Sequence, residues 1–385
     1  MSTFTAAPPE CPTPAAGAAG TGLTDAHLGV VSISRQGADG VSYVARLVDR
    51  ALADLAGRPP WALDLLPARE GVVTRWERAR FFATLAAAEV TGRVDALMFT
   101  HLGPARVQRW LPRARRAAYG VFVHGVEMLP QHMTQDRLSV LEGAALRVAN
   151  SQFTARRVAA LYPGIGTVDA CPLALLPPTP HAGPVDDAVV ARVASAGVVL
   201  LVGRMSSGER YKGHDQLIEA WPDVLADVPR AQLVLAGGGD DAERLARKAA
   251  SAGLGDRVVF AGRVSDATLA ALFARASVFA MPSTGEGFGL VYLEAMRAGL
   301  PCIASPNDGG ADVVVDGETG LLVPQADRAG LGRAVVRLLE NPTLASSLGA
   351  AGRRRYEAHF KYERFRDRFG ALVERAFGSA TGGSR

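Results

Sequence analysis

ASVFAMPSTGEGFGLVYLEAMRAGLPCIASP, residues 276–306, decides the fold: a short apolar run leads through a glycine-rich turn and a helical segment into a second short apolar run. Strand, turn, helix and strand in that order make a parallel βαβ unit. The turn also carries chemistry. Gly285, Gly287 and Gly289 permit positive φ and close backbone approach, so Gly287, Phe288, Gly289 and Leu290 can offer backbone N–H groups to an anion at the positive end of the helix that follows. Seven residues separate Glu286 from Glu294, which on a helix puts them on roughly one face and about 12 Å apart. A carboxylate accepts bidentately from neighbouring hydroxyls, so one acid suits a sugar and the other a ribose. Taken alone, the stretch has a second, less favoured reading as a capped helix with an ordinary acidic face.

Working outward, GVVLLVGR, AQLVLAGGG and RVVFAGR join ASVFAMP and PCIASP as five strand-like runs, separated by helical segments such as Asp240 to Ala250 and Asp266 to Ala274. Asp240 and Asp241 after Gly237, Gly238 and Gly239 make a tight turn and a helix N-cap. Upstream, LGVVSIS, VDALMFTHL, AAYGVFVHG and AALRVANS are further strands, with helical spacing in VSYVARLVDRALADL and QFTARRVAALY. The alternation predicts an α/β chain of two parallel sheets with ligands beyond the strand carboxyl ends. The proline-dense run CPLALLPPTPHAGPVDDAV marks a linker. The boundaries expected are a loose tail over 1–25, a first domain over 26–175, a linker over 176–195, a second domain over 196–351 and a C-terminal segment over 352–385. That last segment, GRRRYEAHFKYERFRDRFGALVERAF, reads as one long helix with an apolar stripe of Tyr356, Phe360, Phe365 and Phe369 that packs across to the first domain.

Composition narrows the class. With 385 residues the chain is long enough for two cores, and 48% hydrophobic with 21% charged residues is a globular balance. The tail has no basic start and no apolar run, so it does not read as a secretion signal. Cys11, Cys171 and Cys302 lie far apart without a CxxC pattern, which suits free thiols in the cytoplasm and argues against zinc. The net charge of +4 is unevenly placed: residues 71–123 hold nine arginines. Arg106, Arg109, Arg113, Arg115 and Arg116 beside Trp110 and Leu111 fit an anionic acceptor or the inner face of a membrane, although Pro112 interrupts the helix and a solvated helix end explains the pattern as well. No basic stripe interleaved with aromatics points to nucleic acid. The turn at residues 237–239 lacks GxGxxG spacing, so nicotinamide chemistry fits worst.

GRMSSGERYKGHDQLIEAW places Gly203, Arg204, Arg210, Lys212 and Gly213 directly after a strand. Arg204 can hold two oxygens and Lys212 acts as a compact charge, a pairing suited to a diphosphate without a metal. No DxD metal motif occurs. A basic loop by itself is more often a solvated surface than a site, and the glycine-rich turn beside it reverses that balance.

GR(x)7KG from Gly203 to Gly213, then FAGRVSDATLAALFARASVFAMPSTGEGFGLVYLEAMRAGLPCIAS and GGADVVVDGETGLLV, together resemble the retaining glycosyltransferases of the GT-B fold, family 4, also called glycosyltransferase group 1. The resemblance covers nearly all of the second domain and only loosely the first, through an early glycine turn and the VHG and NS strand ends. It implies two Rossmann-like parallel-sheet domains facing each other across a cleft, a nucleoside diphosphate sugar donor, with UDP favoured over GDP, no cofactor and no metal. It implies that Glu294 binds the ribose, Glu286 the donor-sugar hydroxyls, and Gly287, Phe288, Gly289 and Leu290 the sugar and phosphate through backbone N–H groups. Arg204 and Lys212 would hold the diphosphate, the base would lie near Gly262, Arg263 and Val264, and His124 would face the donor sugar. His124 alone also reads as a core or edge histidine, and His101 receives no role.

Two departures stand out. Where the family carries adjacent early glycines, this chain has Gly37, Asp39 and Gly40, and a carboxylate at Asp39 repels phosphate unless it turns away or meets a hydroxyl-rich or cationic acceptor. The arginine-to-lysine spacing is long, which lets Arg210 share the diphosphate. The resulting expectation is a cytoplasmic hexosyltransferase acting on a hydroxyl acceptor, anionic or lipid-linked, in glycoconjugate, polysaccharide or natural-product biosynthesis. The alternatives are a nucleotide-sugar epimerase on the same plan and a non-catalytic nucleotide-sugar-binding protein.

Overall fold

The computed structural model describes residue 23 and residues 26–37, 39–66, 73–111, 116–177 and 183–381. The expected tail lies outside the described residues except for Leu23, which is buried and whose carbonyl accepts the Ala26 N–H at 3.0 Å. Cys11, Pro112, Arg113 and Arg115 also lie outside them. Cys171 and Cys302 are both buried.

The chain divides into two compact units, one ending at Leu176 and resuming at Tyr362, the other holding Pro177–Lys361. Part of the expected linker is regular: Asp187–Ala191 is a short helix of the second unit, capped by the Asp186 carboxylate, which accepts from the Ala188 and Val189 N–H groups at 3.1 Å.

In the first unit, β1 Leu28–Ser32, β2 Trp61–Asp64, β3 Ala96–Phe99, β4 Ala118–Val123, β5 Leu146–Ala149 and β6 Asp169–Ala170 form one sheet in the order β2-β1-β3-β4-β5-β6, every pairing parallel. In the second unit, β7 Val198–Val202, β8 Gln232–Ala236, β9 Val258–Gly262, β10 Val278–Ala280, β11 Cys302–Ala304 and β12 Gly320–Leu322 pair in the order β12-β11-β10-β7-β8-β9, again all parallel. The central strands are apolar without alternation, ALMF in β3 and VVLLV in β7, because helices cover both faces. β2, β6 and β12 were not among the expected strands. All three are edge strands. An edge strand needs no continuous apolar run, and β2 is only half-buried throughout.

The C-terminal segment is two helices, not one. Pro342–His359 belongs to the second unit, and Tyr362–Thr381 opens the return to the first. Phe360 breaks the helix: its ring packs edge-on against Phe288 at 5.9 Å, and its φ of −121° and ψ of 11° turn the chain. The aromatic stripe is thereby shared. Tyr356 and Phe360 are buried in the second unit, whereas Phe365 and Phe369 are buried in the first. There the second helix lies on Gly40–Ala56, with Tyr362 Oη donating to Asp54 at 2.7 Å and Arg368 to the Pro172 carbonyl at 2.9 Å.

Candidate active site

The sheet order of the second unit sets the place of the site. Connections leave β7 and β10 in opposite directions, the switch point beyond whose strand carboxyl ends an open parallel sheet leaves a crevice. The loop after β7 ends in the helix His214–Asp227, and the loop after β10 ends in the helix Leu290–Ala298. Both helices start at a left-handed glycine, Gly213 and Gly289, with no side chain on their first-turn N–H groups. Elsewhere in the unit the helices opening at Asp266, Arg328 and Pro342 are closed by Ser265, Asp327 and Asn341. Two uncapped helix ends beside one crevice concentrate donors for an anion.

Across that crevice Lys212 Nζ pairs with Glu286 Oε1. Burial alone would lower the Lys212 ammonium, but Glu286, Tyr211 and Glu209 outweigh it and its pKa is raised. The Tyr211 ring lies under the ammonium at 5.4 Å. The two loops are zipped together: Thr284 N donates to the Tyr211 carbonyl at 3.0 Å, and Gln325 Nε2 bridges the Tyr211 and Pro282 carbonyls at 2.7 Å each. Gly213 is required here on two counts, a φ of +92° and a Cβ position only 2.7 Å from Pro282.

The three cations of the β7 loop have separate fates. Arg204 pairs with Glu209. Arg210, expected to share the diphosphate, is instead spent: it grips Asp241 with two bonds of 3.0 and 2.8 Å. Arg244 grips Asp241 as well, so that carboxyl sits well below the usual carboxylate range. Asp241 accordingly makes no side-chain cap on the helix Ala242–Ser251, contrary to the N-cap expected from its position.

Residues 189–355 match the family described as glycosyl transferases group 1. The chain carries a group 1 glycosyl transferase domain. A GDP-mannose-dependent alpha-(1-6)-phosphatidylinositol monomannoside mannosyltransferase of Mycolicibacterium smegmatis is 40% identical over 149 residues, 37% of this chain and 39% of that protein. A phosphatidyl-myo-inositol mannosyltransferase of Mycobacterium leprae is 42% identical over 163 residues, 41% of this chain and 42% of that protein. The matches therefore span about two fifths of the length of these relatives. Among solved structures, sucrose-phosphate synthase from Thermosynechococcus elongatus superposes with a TM-score of 0.74 at 24% identity, covering 91% of this chain and 99% of that one. Anabaena HepE in complex with UDP and glucose reaches 0.69 at 16%, covering 90% and 99%. These likenesses show the fold, which is GT-B. The expected leaning towards a uridine donor finds no support in the Mycolicibacterium relative, whose name specifies GDP-mannose.

In the group 1 domain, Glu286 precedes the helix Leu290–Ala298 by four positions, so it and Glu294 are not two points on one helix as their spacing suggested. Glu294 sits in the second turn, half-buried. Burial pushes its carboxyl up to about 7, with Arg297 pulling down and Asp266 pushing up. Phe288 has its ring in the core, so only its backbone is available to a ligand. Arg263 and Val264 follow β9 beside the β8 loop, where Gly237 N donates to the Gly262 carbonyl at 2.8 Å.

Asp308, on the loop after β11, drew no attention in the sequence. It is 1% exposed, and its carboxylate accepts the Glu286 N–H at 3.0 Å and the Gly310 N–H at 2.9 Å. Gly309 N donates back to the Glu286 carbonyl at 2.9 Å, and a Cβ on Gly309 would stand 2.2 Å from the Gly287 carbonyl oxygen. This loop braces the backbone that presents Glu286. Burial, then the neighbouring Glu286 carboxylate, push Asp308 up to about 7 against its N–H partners. Its aspartate directly before a Gly-Gly pair was the available signal.

In the first unit the early loop is closed to anions. Asp39 caps the helix Gly40–Ala56, its carboxylate accepting from Ser42 N at 2.9 Å and Ser42 Oγ at 3.2 Å, so the positive end expected to approach phosphate through Gly40 already carries a carboxylate. A Cβ at Gly40 would touch nothing, so packing does not demand glycine there. His124 lies at the carboxyl end of β4. Its Nε2 stands 2.7 Å from the Thr100 carbonyl, which can only accept, so the ring proton is on Nε2. His101 stacks on it at 5.9 Å and takes the Gly103 N–H on Nδ1 at 2.9 Å; burial lowers His101 to about 4. The basic segment is partly neutralised, since Arg106 and Arg109 both pair with Asp136, while Trp76 and Trp110 are 79% and 75% exposed. Among the described residues no helix is long and apolar enough to cross a membrane, and no three His, Cys, Asp or Glu side chains group as metal ligands.

Proposed function

We propose that this protein is a retaining family 4 glycosyltransferase that moves mannose from GDP-mannose to a hydroxyl of a lipid-linked acceptor, without a metal ion, at the cytoplasmic face of a membrane. The observation that carries the reading is the Lys212–Glu286 pair at the β7–β10 switch point, flanked by two helix ends with no side-chain cap. A cation fit for diphosphate then stands beside a carboxylate fit for sugar hydroxyls. Lys212, Arg204 and the backbone N–H groups of Gly287, Phe288, Gly289 and Leu290 stabilise the charge that grows on the leaving diphosphate. Glu294 takes the ribose hydroxyls, which supply its desolvated carboxylate with donors. The base lies beside Gly262, Arg263 and Val264. The leaving phosphate accepts the proton of the incoming hydroxyl on the same face of the sugar, so the protein works by positioning and charge. His124 assists transfer through Nδ1, its Nε2–H being engaged by Thr100.

The GDP-mannose donor and the phosphatidylinositol-type acceptor are supported by the names of relatives that match about two fifths of this chain. Exposed Trp76 and Trp110 among arginines support contact with an anionic lipid surface. A thermal-shift panel of GDP, UDP and ADP with their sugars ranks the donors, because a ligand that binds the folded state raises its melting point. Labelled mannose should then pass from GDP-mannose to phosphatidylinositol mannosides in liposomes, with EDTA present. Stabilisation by none of the panel, or transfer only from a uridine donor, overturns this assignment.

A further inference from the structure

We infer that Glu209 competes with the donor diphosphate for Arg204 and Lys212, and so sets how tightly the nucleoside diphosphate is held. The inference rests on the diphosphate role proposed above for those two cations. Arg204 Nη2 is bonded to Glu209 Oε1, and the other carboxylate oxygen stands 3.9 Å from Lys212 Nζ. Arg204, Glu209, Lys212 and Glu286 thus form a row of alternating charges. An arriving diphosphate meets cations already neutralised, and cannot add to Arg204 beside a carboxylate on the same guanidinium without like-charge repulsion.

Two features mark Glu209 as a stand-in for a ligand oxygen and not as a structural brace. Its Oε2 is buried and lacks a hydrogen-bond partner among the described residues, unlike Asp241, whose two oxygens are both filled by Arg210 and Arg244. Its backbone, at φ −125° and ψ 27°, also breaks the helical turn Ser207–Lys212 in which it sits. Arg204 is 62% exposed on its side chain and holds its carboxylate through one nitrogen, so it can exchange partners, whereas Arg210 is fixed to Asp241 by two bonds within a cluster that Arg244 completes. The exchangeable cation and the fixed one are therefore distinguished within a single loop.

The test is the affinity for GDP, UDP and inorganic pyrophosphate by titration calorimetry of the full chain. Glu209→Gln should tighten all three about fivefold or more, the charge-assisted contact no longer having to be broken. In an Arg204→Ala background the same substitution should give at most a small residual gain through Lys212. Glu209→Asp, which keeps the charge with a shorter reach and guards against misfolding of the first variant, should fall between. Equal or weaker binding by both Glu209 variants, while Lys212→Ala still weakens binding, overturns the competition and leaves the donor reading intact. No binding by the unsubstituted protein overturns both.

Discussion

Lys212 and Glu286 stand 74 positions apart in the chain and meet as an ammonium–carboxylate pair whose side chains are only 14% and 17% exposed. Lys212 is the counter-charge of Glu286, and deleting the lysine strands that carboxylate. Lys212→Ala should therefore lower transfer about 10- to 150-fold, the equivalent of roughly 1.5 to 3 kcal/mol, and should also lower the melting temperature. In Lys212→Ala/Glu286→Gln the stability loss should be smaller than the sum of the single losses, because the stranded charge is gone. Strictly additive losses in thermal unfolding would show that the pair is not coupled.

Phe360 ties the turn that offers N–H groups to the C-terminal segment through its edge contact with Phe288. Phe360→Ala should cost about 3 to 5 kcal/mol in the second unit and weaken GDP binding with it. Phe369→Ala removes an equally buried ring of the first unit and should leave GDP affinity within about twofold. Urea unfolding followed alongside GDP titration separates the two. Comparable loss of GDP affinity in both variants contradicts the division of the stripe.

How far the sequence carried the fold depended on where a segment sits in its sheet. Runs such as VVLLV were legible because a strand covered on both faces must be apolar throughout, while Trp61–Asp64 and Gly320–Leu322 at sheet edges carry no such mark. The site was legible where chemistry is local, as in the glycine turn and the GR(x)7KG loop. It was not legible where partners come from other loops. Nothing in the order of residues says that Arg210 is claimed by Asp241, that Arg204 is met by Glu209, or that Asp308 holds the Glu286 backbone. The break at Phe360 was hidden for a similar reason: the helical stripe continues through it, and the groups that pack on its ring, Phe288 and Arg355, come from other parts of the fold or the preceding turn.

Glu294 and Asp308 give the group 1 domain a definite response to pH. Both carboxyls are raised to about 7, with burial as the first cause. A group whose folded pKa lies above its unfolded value adds stability that is full below the unfolded value, near 4.5 and 3.8 here, and is lost as pH rises to the folded one. Each should therefore remove up to about 1.4 kcal/mol per pH unit between about 4.5 and 7, with no further loss above. Glu294→Gln removes one of the two contributions, so its stability relative to the parent should rise over that window and level off beyond pH 7. Ribose hydroxyls donating to ionised Glu294 should also make GDP binding tighter above pH 7 and release protons near pH 6.5, visible in calorimetry with buffers of different ionisation heat. A stability difference that does not change with pH contradicts the raised Glu294.

Asp308 holds Glu286 through the backbone alone, so its loss should separate transfer from nucleotide binding. Asp308→Ala leaves the Glu286 and Gly310 N–H groups without an acceptor, at a cost of about 1 to 3 kcal/mol each. Lys212, Arg204 and Glu294 are untouched, so kcat should fall tenfold or more while GDP affinity stays within about threefold. Asp308→Asn keeps one accepting oxygen and should fall between. Gly309→Ala attacks the same brace by another route, because its methyl meets the Gly287 carbonyl at 2.2 Å and must drive the two loops apart. It should share the Asp308→Ala phenotype, lowering kcat before GDP affinity. If both variants instead lose GDP binding in proportion to turnover, the β11 loop supports the nucleotide and not the sugar-facing carboxylate.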